Sequence, residues 1–286
     1  MTVPIEKQDK AYLSIILVLL IIGLLTSTYY QTFATLITQW NTNPDYSHGF
    51  FIPFIFLYMI WHVQKEKAFS ALQPTDWGLL PLAVGVAIQT VSLVGSEHFL
   101  QGISLLIVLW SLSLYLGGWR IAKSLSMPIG YLIFMIPLPA IIWNKFSLLL
   151  KLQASNIASF LLIHITNIPF IQEGNLFHLS RGTLEVADAC SGLRSLISLL
   201  AMGALIAFIS KIALWKRLTL VIATIPIAIA TNVLRLITLV DLANRYGIGV
   251  ADSFLHTFSG IVVFVIGLAL LLGINSMLRL HWKQIL

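Results

Sequence analysis

AYLSIILVLLIIGLLTSTYYQ, residues 11–31, contains no Asp, Glu, Lys or Arg, and this stretch decides the fold class. A helix needs about 20 mainly apolar residues to cross a hydrocarbon core of about 30 Å, and the run is long enough. Within lipid each segment must satisfy its own backbone hydrogen bonds, which leaves helices or a closed barrel. Unbroken apolar runs, without the alternation of barrel strands, select helices. Working outward, comparable stretches recur near residues 48–64, 77–95, 99–117, 120–137, 191–210, 214–240 and 253–278, so about eight spans are expected. Composition agrees: of 286 residues, 58% are hydrophobic and only 10% charged, against about a quarter charged in soluble domains. The expectation is an all-α polytopic membrane protein, a single integral domain over residues 1–286. The first run follows a short polar segment, Thr2 to Lys10, and lacks a small-residue cleavage signature, so it reads as a retained helix rather than a signal peptide.

Orientation follows from Lys and Arg in the short loops, which resist translocation. Lys7 and Lys10 precede the first run, Lys65 and Lys67 follow the second, Arg120 and Lys123 the fourth, Lys211, Lys216 and Arg217 the sixth, and Arg279 and Lys283 the last. With eight spans all five groups fall on one side. The loops around Asn41 to Ser47 and Gly95 to His98 have no Lys or Arg, and the loop before the last run has only Arg245. Both termini are therefore expected in the cytoplasm. The net charge of +6 comes from residues dispersed between apolar runs, without the basic stripe of a nucleic-acid binder.

Residues 138–190 form the one long connection, placed outside by this topology. Pro137 and Pro139 end the fifth run. Residues 140–165 mix Asn144, Lys145, Lys151, Ser155, Asn156 and Ser159 with aliphatics, which reads as an interfacial helix or one packed partly into the bundle. Ile168 to Ile171, Leu176 to Leu179 and Thr183 to Val186 are β-prone pieces separated by the turn residues Glu173-Gly174-Asn175 and Arg181-Gly182. They predict a small hairpin or three-stranded flap leading into Cys190, with Pro169 limiting the first piece to an edge.

Cys190 is the only cysteine, which excludes an intrachain disulfide, a CxxC redox pair and a Cys-rich zinc site. If a helix starts near Asp188 to Cys190, the thiol sits at its N-terminus, where dipole and unpaired N–H groups favour thiolate. Arg194 would share its face, and the Ser191 and Gly192 amides could meet a developing oxyanion. Equally, Cys190 could pack as a small hydrophobe while Arg194 snorkels. Asn232 and Arg235 stand three residues apart on the next run. Arg235 is eighteen residues beyond Arg217, or about 27 Å of helix, which brings it to the outer boundary. His256 opens the last run at the same depth, with Gly260 one turn deeper on its face. An arginine in such a segment is costly and marks a site by default. A thiol, two guanidiniums and an imidazole delivered to one level by three helices are hard to explain by packing alone. His48, at the outer start of the second run, is a further candidate for that cavity, or simply follows a helix cap made by Asp45 or Ser47. The remaining histidines have no ligand spacing, so neither metal nor cofactor is expected.

These residues carry a family resemblance. Glu185 to Ser195 (EVADACSGLRS), Asn232 to Arg235 (NVLR), His256 to Gly260 (HTFSG) and Tyr46 to Phe50 (YSHGF) look like the motif set of the exosortase/archaeosortase family, in order from about residue 43 to 262. The resemblance implies a cysteine protease or transpeptidase integral to a prokaryotic cytoplasmic membrane, with its active site at the extracytoplasmic face, that processes exported proteins. Its partners would carry a C-terminal signal made of a short motif such as Pro-Glu-Pro, a transmembrane helix and a basic tail. The family's catalytic Cys, Arg and His carry over to Cys190, Arg235 and His256, and its additional motif arginine to Arg194. Asn232, His48, Ser191 and Gly192 are then candidate support or substrate contacts. The competing class is a transporter or channel with Arg194, Arg235 and His256 along a polar pathway, which calls for ionisable residues through the membrane depth. A thiol oxidoreductase would want a resolving cysteine, and a scaffold would survive thiol alkylation.

Overall fold

The fold was analysed in a computed structural model, which describes residues 5–65, 72–166, 168–186, 192–210, 212–249 and 254–283. The chain divides into two compact units, Met1–Pro137 and Leu138–Leu286.

In the first unit α1 (Ile5–Thr28) and α2 (Tyr30–Thr42) meet at a 62° bend. A 3-10 turn over Pro44–Phe50 follows, begun by Asn43, whose side chain accepts from the Asp45 amide with Pro44 in the first helical position. Then come α3 (Ile52–Lys65), α4 (Leu79–Val94), α5 (His98–Gly117) and α6 (Trp119–Tyr131), the last ending in a 3-10 turn over Leu132–Met135. Gly118 separates α5 from α6 at φ +81°, and a side chain there would collide with the Gln73 carbonyl. Lipid gives helices no hydrophobic reason to associate, so the contacts are made by close packing and polar pairs. Gly85 of α4 lies against Val108 of α5, a Cβ on it falling 2.7 Å from the Val108 side chain. Next to this contact Tyr29 donates to Ser104 Oγ at 2.7 Å, and Ser104 donates to the Gly85 carbonyl at 2.8 Å. Gln89 donates to Thr32 at 3.0 Å, and Thr32 to Gln101 at 3.3 Å. All five of these side chains are buried.

The second unit holds α7 (Ala140–Ile165), β1 (Phe170–Glu173), β2 (Leu176–Leu179), β3 (Gly182–Glu185), α8 (Leu193–Ile209), α9 (Leu214–Tyr246) and α10 (Phe254–Lys283). The three-stranded flap read from the sequence is present as an antiparallel sheet in the order β1-β2-β3. Two-residue connections, Gly174-Asn175 and Ser180-Arg181, set its register, pairing Glu173 with Leu176 and Leu179 with Gly182. One face carries Phe177, Leu179 and Leu184 onto Ala154, Ala158 and Leu162 of α7 and Val233, Leu236 and Val240 of α9. Ile171, Glu173, His178, Thr183 and Glu185 project from the other face. The α8–α9–α10 bundle packs around Leu199, Leu220, Ile227 and Leu271.

The all-α polytopic class holds, with a different count of spans. Among the described residues six helices are long and apolar enough to cross a membrane, or seven if the bent α1–α2 pair is one span. Two of the expected eight are short: α6 has 13 residues and α8 has 17. Conversely α7, read as interfacial, is 26 residues long and passes on length and composition. Its Ser147, Ser155 and Ser159 are buried with Ala154 and Ala158, so these small polar groups serve a protein contact and say little about exposure to water. The described part of α8 starts after the possible helix start at 188–190. Helix α8 begins at Leu193, preceded by Gly192 at φ +80°, and Asp188 to Cys190 lie outside the described residues.

Candidate active site

Two glycine contacts in the second unit assemble the site. Gly192 caps α8, and its carbonyl accepts from the Leu196 amide at 2.8 Å. A Cβ built on Gly192 would lie 2.8 Å from both Cγ and Nδ2 of Asn232, closer than real side chains approach. Backbone and carboxamide are therefore in direct contact, and the residue needs glycine twice over, for its left-handed conformation and for its neighbour. One turn further along α9 the Arg235 side chain is only 5% exposed. A Cβ on Gly260 of α10 would lie 3.8 Å from Arg235 Nη1. The start of α8, the Asn232–Arg235 turn of α9 and the first turns of α10 thus converge through small residues, which let backbone and guanidinium approach.

Arg194 is half-buried in the first turn of α8. His256 is the third residue of α10, four positions before Gly260. Cys190 and Ser191 lie outside the described residues; Gly192 stands two positions after the cysteine. Beside Gly192 and Asn232 the walls are Ala154 and Leu150 of α7, Leu196 of α8 and Ala228 of α9, so the polar groups stand at the edge of an apolar surface. His48 belongs to the first unit, where its Nε2 donates to the Phe134 carbonyl at 3.0 Å. No group of three or more His, Cys, Asp or Glu side chains suited to a metal occurs among the described residues.

The sequence reading did not single out a second polar set at the opposite end of the same helices. Ser210 donates to Asn275 Oδ1 at 2.9 Å, Arg279 donates to Ser210 Oγ at 3.0 Å, and buried Lys216 donates to the Leu278 carbonyl at 2.8 Å. Lys216 and Arg279 had been read only as topology signals, yet they also pin α10 to α8 and α9. Ser195 to Ile209, Leu218 to Leu234 and Gly260 to Leu278 carry no Asp, Glu, Lys or Arg between the two ends. A polar pathway through the depth of this bundle has no charged residues to build it.

Among curated proteins and among solved structures nothing matches the chain. A family model does, that of the transmembrane exosortases, over residues 40–273. The matched region contains Tyr46 to Phe50, Gly192, Arg194, Asn232, Arg235, His256 and Gly260, including both glycine contacts that join the three helices. By that match the chain belongs to the transmembrane exosortase family, membrane enzymes of protein sorting.

Proposed function

We propose that this protein is a cysteine peptidase or transpeptidase that removes a C-terminal sorting signal from exported proteins through a thioester on Cys190. The observation that supports this reading is the convergence of Gly192, two positions after Cys190 in the sequence, with Asn232, Arg235 and Gly260 at one end of the α8–α10 bundle. The Cys190 thiolate attacks the carbonyl carbon of the scissile peptide bond, and the carbonyl electron pair moves onto oxygen. Collapse of this tetrahedral adduct breaks the C–N bond. His256 delivers a proton to the departing amine, which leaves with the substrate's transmembrane helix and basic tail. An acceptor amine or water, deprotonated by the same imidazole, then attacks the thioester and releases the thiolate. Arg235, buried and held next to Gly260, stabilises the oxyanion or holds the carbonyl. Arg194 lowers the thiol pKa or binds an acidic residue of the signal, and either arginine can take the other's part.

The signal is expected to be of the Pro-Glu-Pro type, and the site to face the extracytoplasmic side with both termini in the cytoplasm. Charge placement supports that orientation and bears on α7. If α7 crossed the membrane in addition to both α6 and α8, Lys211, Lys216 and Arg217 would move to the side opposite Lys65, Arg120 and Lys123, against the charge bias. We therefore read α7 as lying on the outer side with the sheet.

The test is Cys190→Ala in cells that co-express a tagged substrate. Loss of cleavage with normal enzyme accumulation is expected, and continued cleavage overturns the proposal. His256→Ala removes both the acid for the departing amine and the base for thioester release, so cleavage should be lost there as well.

A further inference from the structure

We infer that the outer edge of β3 is the docking strand for the extended substrate segment ahead of its C-terminal helix; this rests on the reading of Cys190 as the nucleophile. The register fixes which backbone groups are available. The Val186 amide donates to the Asn175 carbonyl at 3.0 Å, making that a hydrogen-bonded pair. Antiparallel pairs alternate, so Leu184 and Gly182 also turn their backbone groups toward β2, and the N–H and C=O of Thr183 and Glu185 point away from the sheet. No strand pairs with that side among the described residues.

The two edges of the sheet are treated differently. On β1 the outward groups belong to Phe170 and Gln172, with Pro169, which has no N–H, immediately before them. Gln172 also donates to Asn156 of α7 at 3.0 Å, so this edge lies beside a helix. Proline and cover are the usual devices that stop an edge from pairing. Strand β3 has neither proline nor lysine, and both Thr183 and Glu185 are exposed. An open edge is not tolerated against hydrocarbon, so these four backbone groups need water or another chain.

Position and anchoring identify the occupant. Strand β3 leads through Val186 into the segment that carries Cys190, five residues after Glu185. At about 3.3 Å per residue that is a reach of at most about 17 Å, the length of five residues of a bound extended peptide. The sheet is held against α9 by its packed face, and its β2–β3 turn is tied down by Arg181, which donates to the Arg245 carbonyl at 2.7 Å. A peptide pairing with Thr183 and Glu185 is gripped by its main chain and requires little of its side chains beyond the cleavage motif.

The experiment uses full-length enzyme in membranes with its tagged substrate. Glu185→Pro and Thr183→Pro remove outward N–H groups and leave the bonds to β2; Gln172→Pro makes the same change on the opposite edge. Cleavage is expected to fall at least about tenfold in the two β3 variants, which corresponds to about 1.4 kcal/mol, and to stay within about twofold in Gln172→Pro. Normal cleavage by both β3 variants, or an equal loss in Gln172→Pro, overturns the inference. Should a proline variant fail to accumulate, a photo-crosslinking phenylalanine analogue at position 183 in the Cys190→Ser enzyme decides instead. It is expected to capture the substrate ahead of its helix, and no capture overturns the inference. If Cys190→Ala still cleaves, the nucleophile assignment falls; if it is dead while Glu185→Pro and Thr183→Pro are fully active, only the docking edge falls.

Discussion

Gly192 and Asn232 touch backbone to carboxamide, across the gap between the start of α8 and the middle of α9. The contact makes the position of the chain just after Cys190 depend on a residue one helical turn from Arg235. A substitution at either partner should therefore reach the chemistry without unfolding the bundle, whose packing centre around Leu199, Leu220 and Leu271 is separate.

Gly192→Ala introduces two costs. A non-glycine residue at φ +80° loses about 1–2 kcal/mol, and the new methyl overlaps the Asn232 side chain. Cleavage in cells is expected to fall by at least about tenfold with the enzyme still in the membrane. The double variant Gly192→Ala/Asn232→Gly removes the overlap but not the strain, so its loss should be smaller than the product of the single losses. Strict multiplication of the two effects would show that the contact does not couple them.

Arg235→Lys tests whether α9 supplies shape or only charge. A guanidinium presents a planar fork of donors, and an ammonium is a point charge on a flexible stem. If Arg235 holds a carbonyl or oxyanion, cleavage should drop by about 100-fold or more even though the charge is kept. Wild-type turnover in Arg235→Lys would leave the arginine with an electrostatic role alone. Gly260→Leu should mimic the loss from the other side by pushing into the space where Nη1 stands.

How far this site was readable from sequence depends on the kind of signal. Arg235 and Asn232 stood out because charged or amide side chains are costly within an apolar run, and their spacing put both on one helix face. The flap was legible from turn residues: the expected pieces at 168–171 and 183–186 are displaced by one or two residues from the observed β1 and β3, because the two-residue turns set the register. The left-handed Gly192 ahead of α8 was not legible, because nothing local in the sequence announces it; its neighbour Asn232 lies forty residues away. The same holds for Lys216, whose carbonyl partner Leu278 is contributed by another helix. The polar ladder of Tyr29, Gln89, Gln101 and Ser104 escaped because uncharged polar residues in apolar runs attract no attention until their partners are known. Helix α7 shows the limit of composition: the same 26 residues satisfy a span and an outer-side helix, and only charge placement elsewhere separates them.

The orientation can be read by thiol labelling, since Cys190→Ser leaves a chain with no other cysteine. In that background Glu173→Cys, on the exposed face of β1, is expected to react in intact cells with a membrane-impermeant maleimide. Lys123→Cys, in α6 after the fourth expected span, is expected to react only after the membrane is opened. The reverse pattern would invert the topology. Labelling of both from one side would place α7 across the membrane and the sheet with the basic loops.

In the first unit the Tyr46 to Phe50 motif has a mechanical explanation that predicts a different phenotype. Trp40 of α2 donates through Nε1 to the Met135 carbonyl at 2.9 Å, and His48 donates to the neighbouring Phe134 carbonyl at 3.0 Å. Both bonds end on the 3-10 turn that closes α6. Gly49 is buried with its α-carbon against the Trp40 indole, so a Cβ there would fall inside the ring's contact distance. Gly49→Ala must displace the indole or the turn, which breaks the bond to Met135 and leaves a buried carbonyl unsatisfied, at about 1–3 kcal/mol. Purified Gly49→Ala enzyme should therefore unfold in detergent at a temperature several degrees lower. His48→Gln, which keeps an N–H donor, should lie closer to wild type than His48→Ala on the same measurement. If instead both His48 variants melt like wild type while cleavage is abolished, the imidazole serves the reaction directly and the bond to Phe134 is incidental to its role.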